Sequence, residues 1–476
     1  MIRIYFDWNI YSYIRNEKNK SFSEIKELLV QNKTSILLAY SPAHLQDLKR
    51  SYFSSEKGKQ ETVEDLKFLS KLTSNHCLCY HFKNKVVYPN IINPFEYFEE
   101  IYIKNANEDF FDFQNILDKN EPLGKLWNSY WMMFKKLPTG IDIDRFEELP
   151  IQYNLVNNLF KKTKYNNTFG SLMEDMIDLF QQPDEFEKIY KTIRTNSNKD
   201  LKINTDNSKW GNPFEYLDNI LQLNKLQKSF FELTKETIEN TNKEASRFDY
   251  FSNLYILLDV FGYYKDKKVA NLMDDASHSF YGAHADIFVT DDDNLNKKSK
   301  ALYKQLNIDT EVVYSKEFLA SIRRRKLFKE EKGLLDQIEY ILGKSLLLLE
   351  TIDDELNPSQ VYKIDPLLFD FFNRMQISEY ENSTALIFYK KRSNYSEFMF
   401  WTEIQEVVRK FYSELGIDYN NKELFQEIEK EELIKCKWKG RYWRFKNNYL
   451  VLNYLEYPFG LTFRIEIKKS CNNVYS

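Results

Sequence analysis

Acidic side chains follow the predicted strands of this chain at four points. Asp7 and Asp292 come directly after apolar stretches, Asp47 lies on a helix behind the second such stretch, and Asp275 is placed at the opening of a later helix. Ligands of an open α/β sheet gather outside the carboxyl ends of its strands, so we expect these carboxylates to converge. Clustered carboxylates repel one another unless a divalent cation neutralises them, and hard oxygen ligands select Mg²⁺ or Mn²⁺. Such a site lowers the pKa of bound water and stabilises charge around a phosphoryl group.

The elements that must position these residues are predicted as alternating strands and helices. Strands are expected at Met1–Phe6, Ser35–Ala39, Ile287–Thr290 and Glu311–Tyr314, the second and third as apolar runs buried on both faces. Ser41 is the expected N-cap of the helix that carries Asp47, because proline follows it in the first turn. Strands separated by helices predict an α/β fold with a parallel sheet.

Three short patterns resemble PIN-domain nucleases. They are Asp7-x-Asn9, Ser41-x-x-His44-x-x-Asp47-Leu48, and Asp275-x-x-His278 followed by Ala285-Asp286-Ile-Phe-Val-Thr290-x-Asp292-x-x-Leu295. The likeness covers roughly residues 1–80 and 250–320. It implies a PIN-like fold and metal-dependent hydrolysis of phosphodiester bonds, mostly in RNA, leaving 5′-phosphate and 3′-hydroxyl ends. Aspartate replaces the family's usual glutamate at position 47, and the insertion between the two halves is far longer than in a minimal PIN domain.

The resemblance assigns Asp7, Asp47, Asp275 and Asp292 as metal ligands and catalytic residues. Asn9, His278 and Thr290 are expected beside them as groups that orient the carboxylates. Each residue also has a structural alternative: Asp7 as a turn residue, Asn9 and Asp275 as helix caps, and Asp291 to Asp293 as a solvated turn. Asp286 is expected to be a structural acceptor rather than a ligand.

The rest of the chain divides by composition. Residues 1–87 and 245–320 form the predicted nuclease-like domain, 88–244 a helical insertion, 321–378 a helical connector, and 379–476 a C-terminal α+β domain. The C-terminal domain is predicted to contain an antiparallel meander, with strands at Leu433–Trp438, Tyr442–Lys446, Tyr449–Leu455 and Leu461–Lys468. The insertion and the tail are candidates for substrate selection, a protein partner or homo-oligomerisation.

Charge and glycine content exclude some functions. The chain has 67 basic and 71 acidic residues, so any nucleic-acid surface must be a local patch. Candidate patches are Arg323, Arg324 and Arg325, and Lys435, Lys437 and Arg464 in the tail; the alternative is that tail lysines protect sheet edges. The 12 glycines are spaced too widely for a G-x-G-x-x-G or G-x-x-x-x-G-K phosphate loop.

Cysteine usage and hydropathy favour a cytoplasmic protein without a membrane span. The chain has 4 cysteines in 476 residues and no apolar run of membrane length. A zinc site at Cys77, Cys79 and His81 is the weaker alternative to a buried strand with packed thiols, because no second ligand pair accompanies it.

From the acidic motifs and the resemblance to PIN domains we expect a Mg²⁺- or Mn²⁺-dependent endonuclease acting on RNA rather than DNA, with a toxin or antiphage role by analogy. The rival interpretation is a non-catalytic PIN-fold scaffold.

Overall fold

The computed structural model describes a chain of two compact units. The first comprises residues 1–94, 246–248 and 277–476, and the second comprises 95–245 and 249–276. The residues that the structure describes are 1–81, 86–104, 161–166, 168, 171, 175, 183–223, 228–241, 246–266, 268–329, 333–344, 346–353, 358–391, 398–435, 437–445, 448–455 and 460–468. The sequence also predicts a helix over the aromatic-rich run Lys125–Lys136, which lies outside these residues.

The elements alternate between strands and helices in the first part of the chain and are mainly strands near its end. The strands are β1 (Ile2–Phe6), β2 (Ile36–Leu38), β3 (His76–His81), β4 (Val86–Ile91), β5 (Ile287–Val289), β6 (Glu311–Val313), β7 (Leu347–Ile352), β8 (Ser359–Leu368), β9 (Phe372–Glu379), β10 (Ser383–Tyr389), β11 (Arg441–Phe445), β12 (Asn448–Leu455) and β13 (Gly460–Lys468).

The helices are α1 (Trp8–Arg15), α2 (Lys20–Gln31), α3 (Pro42–Ser54), α4 (Glu56–Thr73), α5 (Pro94–Phe98), α6 (Lys161–Asn166), α7 (Pro183–Asp200), α8 (Pro213–Leu223), α9 (Phe230–Thr241), α10 (Arg247–Val260), α11 (Val269–Gly282), α12 (Asp293–Gln305), α13 (Ser315–Lys329), α14 (Leu334–Leu342), α15 (Trp401–Leu415) and α16 (Glu427–Ile434). A π-helical segment covers Glu99–Lys104 and a 3₁₀ segment Asn207–Lys209. None of the helices in the described part of the chain has the length and apolarity of a membrane span.

The predicted parallel α/β sheet is confirmed. Its four strands run in the order β2, β1, β5, β6, and every neighbouring pair is parallel. A parallel bridge between Tyr40 and Cys77 adds β3 beyond β2. The chain therefore proceeds outward from β1 through β2 to β3 and then returns to the other side of β1 for β5 and β6. All five residues of β1 are buried, as expected of a central strand covered on both faces.

All neighbouring strands are parallel, but the side on which the chain adds the next strand to the sheet changes between β1 and β5. Ligand sites of open α/β sheets lie outside the carboxyl ends of the strands at such a reversal. Asp7 follows β1 and Thr290 follows β5, so both lie at that point; the backbone N–H of Asp7 donates to the carbonyl of Val289 at 3.1 Å. The predicted start of α3 is also confirmed, since Ser41 caps it and His44 completes a capping box.

The strand predicted around Cys77–Phe82 is present as β3, which pairs antiparallel with β4. Cys77 and Cys79 are buried free thiols, and burial raises the pKa of the Cys77 thiol well above its usual range. The structure therefore supports packed cysteines on a strand. The predicted helical insertion from residue 88 begins later, because β4 extends to Ile91.

The prediction of a helical connector over 321–378 is wrong beyond Leu342. Helices α13 and α14 are present, but β7, β8 and β9 follow from Leu347 and join a seven-stranded antiparallel sheet. The run Leu346–Leu349 is continuously apolar, and such a run does not distinguish a helix from a strand. Pairing with a distant strand decides it, because Leu347 pairs with Lys363 and Leu348 with Tyr362.

The C-terminal meander is confirmed for three of its four predicted strands. They are β11, β12 and β13, and the full sheet order is β11, β12, β13, β10, β9, β8, β7. The predicted strand Leu433–Trp438 is wrong, because α16 occupies its first residues. Glu429 on α16 is fully buried and accepts hydrogen bonds from Arg441 and from the Trp438 indole at 3.0 Å. A buried carboxylate that needs these partners fixes a helix here.

The second unit is built from helices in its described part. Arg194 on α7 donates to Asp259 on α10 at 2.9 Å, and the hydroxyl of Tyr190 donates to the same carboxylate at 2.7 Å. Asn212 caps α8 by accepting from the backbone N–H of Phe214 at 3.1 Å. The sequence Asn-Pro-Phe-Glu occurs at residues 93–96 and 212–215. Its second occurrence is thus the start of a helix.

Candidate functional site at the carboxyl end of the parallel sheet

Asp7 is the N-cap of α1 at the end of the central strand. Its Oδ1 accepts a hydrogen bond from the backbone N–H of Ile10 at 2.9 Å, and its Oδ2 accepts from the hydroxyl of Thr290. The side chain of Asp7 is buried, with 2% of the residue exposed. The cap is the local reason for a helix here, and the bond to Thr290 ties the ends of β1 and β5 together.

The carboxylate of Asp7 is held in an unfavourable environment. Burial raises its pKa from the ordinary 3.8 to about 6, against the opposing effect of hydrogen bonds from Thr290 and Ile10. The electrostatic interaction with His278 also lowers this pKa, and that with Asp47 raises it. Asp47 therefore lies close enough to Asp7 to influence its ionisation. Strongly perturbed carboxylates cluster at functional sites.

Asp47 lies on α3 and is bound by His278 of α11. Nε2 of His278 is 2.8 Å from Oδ2 of Asp47, with 4% and 21% of the two side chains exposed. The structure thus places His278 beside a predicted ligand, where it orients the carboxylate as expected. Asp47 is the more accessible member of the pair.

A second histidine, His44, connects the start of α3 to the end of β1. The backbone N–H of Ser41 donates to its Nδ1 at 3.0 Å, so Nδ1 carries no proton. Its Nε2 is 2.8 Å from the carbonyl of Phe6 and must be the donor in that bond. Burial, together with the nearby His278, lowers the pKa of His44 well below its usual range. His44 is accordingly a neutral structural residue.

The acidic turn after β5 separates its members by role. Asp292 is exposed and caps α12, with its Oδ1 accepting from the backbone N–H of Leu295 at 2.9 Å. Its own N–H donates to the hydroxyl oxygen of Thr290 at 3.1 Å, which links it to the residue that holds Asp7. Asp291 instead accepts from the backbone N–H and hydroxyl of Ser315 at the start of α13. The choice of Asp292 over Asp291 as the site residue fits this division.

Two other predicted residues are placed differently from expectation. Asn9 is exposed in the first turn of α1, and Asp7 rather than Asn9 caps that helix. Asp275 does not open a helix, because α11 begins at Val269. Asp275 belongs to the second unit, so its membership of the site stays a prediction. It stands three residues before His278 on α11, which puts the two on one face of that helix.

Asp286 is a structural acceptor, as predicted. Its Oδ2 accepts from the backbone N–H of Arg3 and from Nζ of Lys390, both at 2.7 Å. The Arg3 side chain also forms a buried ion pair with Glu403 of α15 at 2.5 Å. Although burial opposes its ionisation, Arg3 and Lys390 hold the pKa of Glu403 at about 2. This cluster lies at the amino end of the sheet, away from Asp7.

The candidate nucleic-acid residues are dispersed. Arg323 is exposed on α13 and is paired with Glu24, while the side chains of Arg324 and Arg325 lie outside the described residues. Arg464 on β13 is 3.4 Å from Glu466. Lys435 and Lys437 are exposed after α16 rather than on the predicted strand Leu433–Trp438, so they do not line a sheet face together with Arg464. The aromatic Trp443 is buried and Tyr442 is exposed.

A divalent cation is implied by the donor chemistry, and the fit is partial. Among the residues that the structure describes, no three His, Cys, Asp or Glu side chains come together as metal ligands. Asp47 lies close enough to raise the pKa of Asp7, and each Asp7 oxygen has one hydrogen bond and a remaining lone pair. Mg²⁺ commonly uses one or two carboxylates together with water and substrate phosphate oxygens. The residues present fit that mode of binding.

Comparisons with protein-family models, curated proteins and solved structures find no match to this chain.

Sequence reasoning missed two site residues, Tyr5 and the side chain of Ser41. Tyr5 lies in the apolar strand β1, where an aromatic side chain is expected to pack in the core. Ser41 is predicted only as a helix cap. The Tyr5 hydroxyl is 2.7 Å from Ser41 Oγ and 2.9 Å from His278 Nδ1. The only signal in the sequence is a hydroxyl on a strand expected to be wholly buried, since a buried hydroxyl requires a partner.

Proposed function

We propose that this chain is a divalent-metal-dependent endonuclease with a PIN-like catalytic domain, acting on RNA in preference to DNA. The observation that carries the proposal is Asp7, a buried carboxylate at the reversal point of a parallel sheet, tied to Thr290 and influenced by the charge of Asp47. This is the position at which α/β sheets bind ligands. The order of the acidic motifs along the chain supports the same assignment.

The residues of the chain divide the work of such a site. Thr290 and the N-terminus of α1 hold both oxygens of Asp7, and His278 holds one oxygen of Asp47. The ion would be held by Asp7 and Asp47, with Asp275 and Asp292 as the further ligands that the family resemblance implies. A bound Mg²⁺ or Mn²⁺ activates water and stabilises charge on the phosphoryl oxygens. The burial of Asp7 keeps bulk water from competing for its oxygens.

Basic residues are the proposed contacts to the phosphate backbone. Arg323 to Arg325 follow the nuclease-like region, and Lys435, Lys437 and Arg464 lie on the C-terminal part. Each phosphate neutralised by such a residue releases counterions, which makes binding salt-dependent. A cytoplasmic toxin or antiphage effector, restrained by a partner or by self-association, is the biological role we propose by analogy.

The direct test is incubation with total RNA, single-stranded DNA and double-stranded DNA, each with Mn²⁺ or EDTA. We expect RNA cleavage that requires Mn²⁺ and leaves 5′-phosphate ends. Asp7→Asn should abolish it. Asp286→Asn is the matched control, because it changes a carboxylate at the opposite end of the same sheet. Equal activity of Asp7→Asn and the parent would refute the site.

The rival function is a non-catalytic scaffold with the same fold. It is favoured by the lack of a group of three metal-ligating side chains among the described residues. The two functions differ in their response to metal. A ligand that binds only the folded chain stabilises it by RT ln(1 + [L]/Kd), about 2.7 kcal/mol at a hundredfold excess over Kd. A scaffold should show no stabilisation by Mn²⁺ and no cleavage.

A further inference from the structure

A line of buried hydrogen bonds leads from the centre of β1 to the candidate site. The Tyr5 hydroxyl contacts Ser41 Oγ at 2.7 Å on one side and His278 Nδ1 at 2.9 Å on the other. Nε2 of His278 continues the line to Asp47 at 2.8 Å. Tyr5 and Ser41 are fully buried and His278 is nearly so. The line therefore connects the protein interior with the more exposed carboxylate of the site.

The direction of these bonds can be assigned from the donors available. The backbone N–H of Ala43 donates to Ser41 Oγ at 3.3 Å. The Ser41 hydroxyl can donate to Tyr5 at 2.7 Å or to Nδ1 of His44 at 3.3 Å, and the contact with Tyr5 is the shorter. Tyr5 in turn donates to Nδ1 of His278, which leaves the Nε2 proton for the acceptor-only carboxylate of Asp47. Each hydroxyl in this arrangement both donates and accepts. Burial raises the pKa of Tyr5 well above its ordinary value, which keeps its proton in place.

We propose that Tyr5 is a positioning residue of the candidate site: its hydroxyl donates to Nδ1 of His278 and thereby holds the Nε2–H of that imidazole on Asp47. One oxygen of Asp47 is then fixed by the imidazole, and the other is left for a ligand. Hydrogen-bonded partners of this kind set the tautomer and orientation of a site histidine. The tautomer assignment stands by itself, whereas its effect on metal binding and cleavage rests on the proposed function.

The surroundings of Tyr5 allow the hydroxyl to be removed without emptying the core. Its ring packs against His44, His278 and Phe288, with centroid distances of 4.9, 5.9 and 5.7 Å. Tyr5→Phe keeps these contacts. Tyr11→Phe is the matched control, because Tyr11 is equally buried and its hydroxyl donates to the Ala39 carbonyl at 3.3 Å, outside the line.

The experiment is nitrogen-15 NMR of the full chain with labelled histidine, which distinguishes Nδ1–H, Nε2–H and doubly protonated rings. The five histidines make assignment by substitution practical. In the parent at neutral pH we expect Nε2–H rings at His278 and at His44, the latter serving as an internal reference. Tyr5→Phe should shift only the Nδ1 signal of His278, and Tyr11→Phe should shift neither ring.

Mn²⁺ affinity of the same three proteins is the second readout. Tyr5→Phe should weaken it by about 10- to 100-fold, the usual effect of losing an outer partner, with Tyr11→Phe near the parent. A parent spectrum with Nδ1 of His278 protonated overturns the proposal, even if the variant does not fold. An unchanged His278 signal in a folded Tyr5→Phe overturns it as well. The expected spectra with no Mn²⁺ binding and no RNA cleavage by the parent would confirm the role of Tyr5 in holding Asp47 and reject the nuclease.

Discussion

Asp7→Asn should make the metal-free protein more stable near neutral pH while abolishing activity. Burial raises the pKa of Asp7 from 3.8 to about 6, so the folded chain binds this proton more readily than the unfolded chain does. The stability that the protonated form contributes is therefore complete below about pH 4 and is lost as the pH rises through 6. A shift of this size corresponds to about 3 kcal/mol at pH 7.5.

The substitution removes that penalty at a small cost in hydrogen bonding. Asparagine is as good an N-cap as aspartate, so the bond to Ile10 is retained. The bond from Thr290 must be rearranged, which costs about 1 kcal/mol. We expect Asp7→Asn to be about 2 kcal/mol more stable than the parent at pH 7.5 and about 1 kcal/mol less stable at pH 4.

The assay is urea unfolding at both pH values with EDTA and again with excess Mn²⁺. Mn²⁺ should stabilise the parent at pH 7.5 and leave Asp7→Asn unchanged. Thr290→Val is the matched control. It removes the hydrogen bond that favours the ionised form of Asp7 and lowers its pKa, so it should destabilise the chain more at pH 7.5 than at pH 4. A difference between Asp7→Asn and the parent that is the same at both pH values would show that the Asp7 carboxylate is not held as described.

Three further perturbations separate chemistry from structure. Asp292→Asn should keep the cap of α12 and reduce cleavage. Asp291→Asn should keep cleavage and lower the free energy of unfolding by about 1 kcal/mol through its weakened bonds to Ser315. The reverse pattern in parallel denaturation and cleavage assays would reject the assignment of Asp292. Glu403→Gln should destabilise the chain by about 3–5 kcal/mol, because it leaves buried Arg3 without its carboxylate. The pKa of Glu403 is about 2 in the folded chain against an ordinary 4.5. In urea unfolding, the stability that Glu403 contributes should therefore be complete above pH 4.5 and lost as the pH falls through 2. Replacing Lys435, Lys437 and Arg464 with glutamine should lower RNA affinity and flatten its salt dependence in binding titrations, with cleavage at saturating RNA retained; unchanged binding at every salt concentration would remove these residues from the RNA surface.

Local signals along the chain predicted the parallel sheet and the side chains that lie at the carboxyl ends of β1 and β5. The apolar stretches of β1, β2 and β5 and the Ser41-Pro42 start of α3 are encoded within a few residues each. The carboxylates could be placed at strand ends for the same reason. The motifs indicated that Thr290 and His278 lie near the carboxylates, but not that Thr290 contacts Asp7 and His278 contacts Asp47.

Features decided by distant partners were not predictable from the sequence. The strand β7 depends on pairing with β8, and α16 depends on the salt bridge of Glu429 with Arg441. Asp275 was placed at a helix opening because the preceding turn of α11 carries no distinct capping signal. The link from Tyr5 to His278 joins residues 273 positions apart, and nothing local to either residue specifies it.

The long distances along the chain between β1 and its partners have a consequence for synthesis on the ribosome. β1 is made first, yet its neighbour β5 and the Thr290 hydroxyl that holds Asp7 come 283 residues later. At about 5–20 residues per second, Asp7 waits roughly 15–60 s for its partner. Glu403, the buried partner of Arg3, follows at a separation of 400 residues. The central strand can be completed only when most of the chain has been translated, so a nascent chain carries no assembled site.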